Sequence, residues 1–194
     1  MNSILQQLNQ QLAATVESVW ASLVQISNGR GGQGAGTLWH KDGLIITNAH
    51  VVGHDHLTVT LPDQQTLPAR LLAIDPERDL AALAVPANGL PTIELGDSRQ
   101  LHPGELVLAL GHPWGVKNAV SAGPVIGVGL PPELPNLHRE FVQAGLQLRP
   151  GHSGGPMVSA AGRLVGVNTL ITGPEVGLAI PIFDVKQFLR QRLG

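Results

Sequence analysis

"RPGHSGGPM", residues 149–157, sets Ser153 among three glycines and a histidine, and the reading of this stretch decides the fold. Glycine packs nothing and loses more backbone freedom on folding than any other residue, so strand and helix interiors avoid such runs. A segment that keeps Gly151, Gly154 and Gly155 around one serine needs close backbone approach or unusual dihedrals. Serine is a poor nucleophile unless a base lies within hydrogen-bond reach and an acid orients that base. It also needs backbone N–H groups aimed at the oxyanion that develops during attack. Judged alone, the run reads equally as a glycine-rich hairpin, so the rest of the chain has to supply the base and the acid.

Outward from this stretch the texture is β. "SLVQIS", "GAGTLWH", "GLIITNAHVV", "HLTVTL", "TLPARLLAI" and "LAALAV" precede it, separated by Gly, Pro, Asn and Asp at short intervals. "ELVLALG", "NAVSAGPVIGVG", "EFVQAGLQL", "PMVSAAGRLVGVNTL" and "EVGLAIP" form a second series, with Ala161-Gly162 as a hairpin turn. Short apolar runs bounded by turn residues predict an all-β barrel or sandwich. Residues 86–105 are dense in proline and glycine and place a linker between a first β unit (about 21–90) and a second (about 100–180). Both ends are helical. Ile4, Leu5, Leu8, Leu12, Val16, Val19 and Trp20 recur at three- and four-residue steps after a Ser3–Gln6 capping box, predicting a helix over about 3–20. Ile182, Val185, Phe188 and Leu189 predict another over about 182–193.

The base and the acid are found in the first β unit. His50 in "TNAHVV", residues 47–52, ends a β run, and histidine's near-neutral pKa makes it a frequent but not diagnostic acid–base group. In "DPERDLAALAV", Asp75 begins a turn with Pro76, whereas Asp79 stands at the mouth of an apolar strand. A carboxylate there needs a partner, because burying an unpaired charge is costly; a histidine N–H would serve. The chain order His50, Asp79, Ser153 is that of the chymotrypsin-type triad, not of subtilisins or α/β-hydrolases. The first lobe would carry His and Asp and the second Ser, with the site in the cleft between them.

Composition excludes several other chemistries. With 13% charged residues, a net charge of −2 and no basic stretch, the chain offers no nucleic-acid footprint. Without cysteine there is no disulfide, thiol nucleophile or thiolate metal site. His54, Asp55 and His56 form "HDH", but no third ligand is evident, so a solvated loop and no metal or cofactor are expected. Trp20, Trp39 and Trp114 read as core or cleft-wall residues. No apolar run reaches transmembrane length. The first twenty residues lack the pattern of a signal peptide, which points to the cytoplasm unless a leader has been removed.

The segments "GAGTLWHKDGLIITNAHVV", "DPERDLAALAV", "LGDSRQLHPGELVLALGHPWG", "GHSGGPMVSAAGRLVGVNT" and "GLAIP" resemble the HtrA/Deg family of trypsin-like serine proteases from about residue 20 to residue 185. The resemblance implies two six-stranded antiparallel β-barrels with the triad between them. His50 would be the general base, Asp79 its orienting acid and Ser153 the nucleophile of an acyl-enzyme. Gly151, His152 and Ser153 would form the oxyanion hole. Leu148, Val167, Asn168 and Thr169 would meet an extended polypeptide substrate, with small or medium aliphatic side chains preferred at the cleaved position. Members commonly form trimers through the N-terminal segment, and Leu5, Leu8 and Leu12 would supply that contact here. The chain departs from the family in three places: His152 and His112 stand where asparagine is usual, and Gly145 stands where an acid is usual. No PDZ-like domain follows Leu193-Gly194 in this sequence, so regulation through one is not expected. The alternative to an active endopeptidase is a latent or weak protease-like scaffold that binds peptides or acts as a chaperone; a complete set of His50, Asp79 and Ser153 argues for the enzyme.

Overall fold

Helix α1 (Ile4–Trp20) begins at a reciprocal cap. Ser3 Oγ accepts the Gln6 N–H at 3.2 Å and Gln6 Oε1 accepts the Ser3 N–H at 2.8 Å, which satisfies two N-terminal backbone donors. The computed structural model describes residues 3–29, 33–53, 56–113, 116–135, 137–172 and 175–194. Only the last turns of α1 dock: Val16 and Val19 are buried, while Ile4 and Leu5 are 83% and 71% exposed. Thr15 Oγ1 donates to Ala160 O at 3.3 Å, tying the helix to the hairpin that turns at Gly162.

The first lobe is an antiparallel sheet of β1 (Leu23–Ser27), β2 (Gln33–His40), β3 (Leu44–Thr47), β4 (Thr58–Thr60), β5 (Thr66–Pro68), β6 (Arg70–Asp75) and β7 (Leu80–Ala84). Its spatial order is β5-β4-β1-β2-β3-β7-β6. The two edge strands, β5 and β6, are separated in the chain by Ala69 alone. The sheet must therefore curl until its edges meet at that residue. No ladder joins β5 to β6 among the described residues, so the lobe is a curled seven-stranded sheet and not the closed six-stranded barrel expected. The expectation took "TLPARLLAI" as one strand. It breaks at Ala69, whose N–H donates to Leu57 O.

The second lobe closes fully. Strands β8 (Leu106–Gly111), β9 (Ala119–Gly129), β10 (Phe141–Ala144), β11 (Pro156–Ser159), β12 (Leu164–Thr172) and β13 (Val176–Pro181) form a barrel in the order β10-β13-β12-β11-β8-β9, with β9 paired to β10. Closure leaves no edge strand to satisfy. Helix α2 (Ile182–Leu193) follows and buries Ile182, Val185 and Phe188.

Each lobe has its own apolar core: Val24, Ile26, Leu38, Ile45 and Leu83 in the first, Val107, Val125, Val142 and Met157 in the second. A third cluster bridges them, joining Leu23, Ile46 and Leu80 to Leu108, Phe141, Leu164 and Phe188. Each such side chain contributes about 1.5–3 kcal/mol on burial. This shared core sets the register of one lobe on the other, and the candidate site lies along the same seam.

Candidate active site

His50 sits on a short 3-10 turn, Ala49–Val51, directly after β3. Its flanking residues Ala49 and Val51 are buried, so the turn is pinned while the imidazole points outward. Asp79 closes the turn between β6 and β7 and adopts a left-handed backbone, φ +53, a conformation that aspartate tolerates better than most side chains. His50 Nδ1 lies 2.9 Å from both Asp79 carboxylate oxygens, and the His50 backbone N–H donates to Oδ1 at 3.0 Å. The Nδ1–H donor role leaves Nε2 with the lone pair that a general base requires. The His50 side chain is 50% exposed and that of Asp79 only 16%: the base faces the cleft and the acid stands behind it.

Two further side chains hold Asp79. Thr169 Oγ1 donates to Oδ2 at 2.6 Å, and Asn48 Nδ2 donates to the Asp79 carbonyl at 3.0 Å. Burial pushes the Asp79 carboxyl up, but hydrogen bonds from the His50 ring, Thr169 and the His50 N–H, with the His50 charge, outweigh it and hold the group below its ordinary value. Asp79 is therefore an anion wherever His50 can act as a base.

Thr169 reaches the site because β12 is irregular. Its pairing with β13 shifts between Asn168 and Leu170, leaving Thr169 as an extra residue. Such a bulge re-aims a side chain. Here it turns the hydroxyl toward Asp79 and the carbonyl toward Ser153, whose Oγ donates to Thr169 O at 3.1 Å. No hydrogen bond joins Ser153 Oγ to His50 among the described residues.

The glycines around Ser153 are crowded by the protein's own backbone. A Cβ on Gly154, at φ +83, would lie 2.1 Å from Thr47 Oγ1 and 2.2 Å from Ala35 O. One on Gly151, at φ +104, would lie 2.4 Å from His112 O. The approach at Gly154 lets the serine turn nest against the first lobe, where the Ala35 N–H donates to Ser153 O at 2.9 Å, and that at Gly151 packs the turn on the end of β8. Upstream, the His152 N–H closes a turn onto Arg149 O at 2.9 Å around Pro150 and Gly151, the proline–glycine pairing that a type II turn favours. The backbone N–H groups of Gly151 and Ser153 donate to no acceptor among the described residues. Between these two donors in the chain, the His152 N–H is engaged by Arg149 O.

Two cavities meet at Ser153. One of about 370 Å³ is lined by Leu148, Arg149, Pro150, Ser153, Thr169, Leu170 and Ile171. The other, about 180 Å³, includes Asn28, Gln33, His50, Gly151 and Ser153. Leu148 and Thr169 thus line the cavity beside Ser153. Val167 and Asn168 do not: both are fully buried, and Asn168 Nδ2 donates to Leu110 O and Pro156 O, bracing β12 from behind. The bulge is the physical reason, since it shifts the exposed positions to Leu170 and Ile171. The sequence reading missed these two and Asn48; the asparagine two residues before His50 in "TNAHVV" was the available signal.

His112 and His152 are both buried beside this turn. Burial, with the charges of Lys117 and His152, pushes His112 down to about 4. Burial also lowers His152, assisted by the Arg149 charge and opposed by a hydrogen bond to the Arg149 backbone. Gly145, in place of an acid, packs its carbonyl against Gly123, where a Cβ would lie 2.0 Å away. His54, Asp55 and Trp114 lie outside the described residues. No cluster of three metal-ligating side chains occurs among the described residues, and no helix among them is long and apolar enough to cross a membrane.

Two packed β lobes with histidine and aspartate from one and serine from the other make the arrangement of the trypsin-like serine hydrolases. Residues 34–167 match the trypsin-like peptidase domain. The chain is 40% identical over 157 residues to a putative serine protease, HhoB, of Synechocystis sp., covering 78% of this chain and 38% of that protein. It is 43% identical over 154 residues to a probable periplasmic serine endoprotease, DegP-like, of Pseudomonas fulva, covering 77% and 32%. The solved HtrA-type protease AlgW with tripeptide superposes with a TM-score of 0.85 at 32% identity, covering 92% of this chain and 63% of that one. The chain belongs to the HtrA/Deg family of trypsin-like serine proteases, and it spans about a third of the length of these curated relatives.

Proposed function

We propose that the protein is a serine endopeptidase that cuts unfolded or exposed polypeptide through an acyl-enzyme. The observation that carries this reading is the His50–Asp79 pair, held by Thr169 and facing a cleft in which Ser153 joins two cavities. Ser153 Oγ attacks the scissile carbonyl while His50 Nε2 takes its proton; Asp79 stabilises the imidazolium, which then protonates the leaving amine. The N–H groups of Gly151 and Ser153 receive the oxyanion.

An extended substrate would add alongside β12 at residues 169–171 by strand pairing. Its N–H would compete for the Thr169 carbonyl that holds the Ser153 hydroxyl at rest, releasing that hydroxyl to His50. Leu148, Leu170 and Ile171 make the first cavity apolar, and Arg149 at its wall opposes a cationic side chain. This supports small or medium aliphatic residues over Lys or Arg at the cleaved position. The first lobe would serve as the family's six-stranded barrel, β5 and β6 acting as one strand bent at Ala69. The exposed Ile4, Leu5 and Leu8 on α1 support a homo-oligomer, a trimer in this reading.

The test is labelling with a fluorophosphonate, wild type beside Ser153→Ala, read by intact mass. One adduct on the wild type and none on the variant is expected. An unlabelled wild type that also cuts no unfolded protein would overturn the reading.

A further inference from the structure

Residue 152 grips residue 149 twice. Its backbone N–H donates to Arg149 O at 2.9 Å, and its ring Nδ1 lies 3.1 Å from the Arg149 N–H and 3.2 Å from Arg149 O, accepting from the first or donating to the second according to its tautomer. The two contacts close a ring around Pro150 and Gly151, and the Gly151 N–H is one of the two donors left unpaired beside Ser153. On the far side of the same glycine, the His112 N–H donates to Gly151 O at 2.9 Å. The Gly151 peptide is thus fixed from both ends. The ring nitrogen left over is Nε2. That atom is buried without a hydrogen-bond partner among the described residues, as is His112 Nε2. An imidazole with one orphaned nitrogen is a costly choice for a packed site, and the Arg149 contact is what the ring supplies in return.

We propose that His152 is a positioning residue of the reaction: its ring Nδ1, hydrogen-bonded to the Arg149 backbone, clamps the Arg149–His152 turn so that the Gly151 and Ser153 N–H groups converge on the oxyanion. This rests on the serine-protease reading above. It gives the His152 side chain a role in holding the oxyanion turn, at one of the positions where this chain departs from its family.

The test compares His152→Leu, which fills similar space without a hydrogen-bonding group, with His152→Asn, whose side-chain amide can accept the Arg149 N–H or donate to Arg149 O. The probes are a peptide boronic acid, whose tetrahedral adduct places an oxygen at the oxyanion donors, and the matching non-covalent product peptide. Removing one oxyanion donor outright costs about 10²–10³ in kcat. A loosened turn in H152L is expected to weaken boronate capture and lower kcat by roughly 10–100-fold, with KM and product-peptide affinity within about threefold. H152N is expected to stay near the wild type. If H152L does not fold, His152→Ala replaces it as the variant without a hydrogen-bonding group. Such a variant that captures boronate like the wild type, or an H152N as weak as H152L, would overturn the role of His152. A wild type that takes neither boronate nor fluorophosphonate would instead overturn the protease reading.

Discussion

His112 offers a direct way to weigh the packing beneath the oxyanion turn. Its ring is buried, Nδ1 accepts the Asn118 N–H at 3.3 Å, and Nε2 has no partner among the described residues. Burial, aided by Lys117 and His152, depresses its pKa from 6.5 to about 4. In the unfolded chain the ring is solvated and takes a proton near its ordinary value; in the folded chain it resists. The unfolded state therefore binds more protons throughout this window, and stability falls as pH falls. The contribution is fully present above the unfolded pKa, drains away below it and levels off near the folded one. Acidifying from about pH 7.5 to about pH 4.5 should cost roughly 2–3 kcal/mol from His112 alone. The perturbation is His112→Asn, which keeps an acceptor for the Asn118 N–H but does not titrate. Urea unfolding is followed at both pH values for both proteins. Carboxylates and the remaining histidines are common to the two, so the double difference isolates this residue. The wild type should lose about 1 M more in midpoint than the variant, given slopes of about 1–3 kcal/mol/M. Equal losses in the two proteins would refute the reasoning.

Other perturbations address the catalytic pair, the nucleophile turn and the substrate cavity. Thr169→Val removes the 2.6 Å donor to Asp79. The loss of a charge-assisted hydrogen bond of about 1.5–3 kcal/mol should lower kcat/KM roughly tenfold or more and bring the acid loss of activity in at higher pH. Unchanged kinetics would show that the hydroxyl is dispensable. Gly154→Ala forces a Cβ into Thr47 and Ala35 at a left-handed φ, with an expected stability loss of about 2–4 kcal/mol; a Tm equal to the wild type's would disprove the crowding. Peptides with Val or Leu at the cleaved position should exceed those with Lys or Arg by roughly tenfold or more in kcat/KM, and parity would remove Arg149 from the account of specificity. With His50 as the base, kcat/KM should fall on acidification; a flat profile between about pH 5 and 8 would exclude that role.

What could be read in advance follows the range of the signals. Helix ends, the hairpin at Gly162 and the two series of strands are local patterns, and each appears in the sequence as periodicity or turn chemistry. His50, Asp79 and Ser153 were legible for another reason: each stands at the boundary between an apolar run and a turn, where a polar side chain needs a purpose. The cavity wall was not. Strand alternation places Val167 and Thr169 on one face, but one extra residue between Asn168 and Leu170 changes which positions line the cavity. A bulge leaves no compositional mark in β12, because the pairing partner, β13, creates it. The open edge of the first lobe was hidden similarly: the break at Ala69 depends on two distant strands pairing with β4 and β7.

The same bulge explains how two lobes with separate cores can share one chemistry. Asp79 belongs to the first lobe and Ser153 to the second, so neither lobe alone can set the distance between them. Thr169 spans the seam with two groups of one residue: its hydroxyl donates to Asp79 and its carbonyl receives the Ser153 hydroxyl. The Ala35 N–H on Ser153 O crosses the same seam in the opposite direction, and Arg139 on the Glu77 carbonyl at 2.9 Å crosses it in the same sense as the Thr169 hydroxyl. Arg139 also stacks over Phe141, a residue of the bridging core, so packing and polar register are set by the same residues. A change that loosens the seam should therefore disturb the triad before it unfolds either core. The small clearance at Gly154, against Thr47 and Ala35 of the first lobe, limits how closely the two halves can meet.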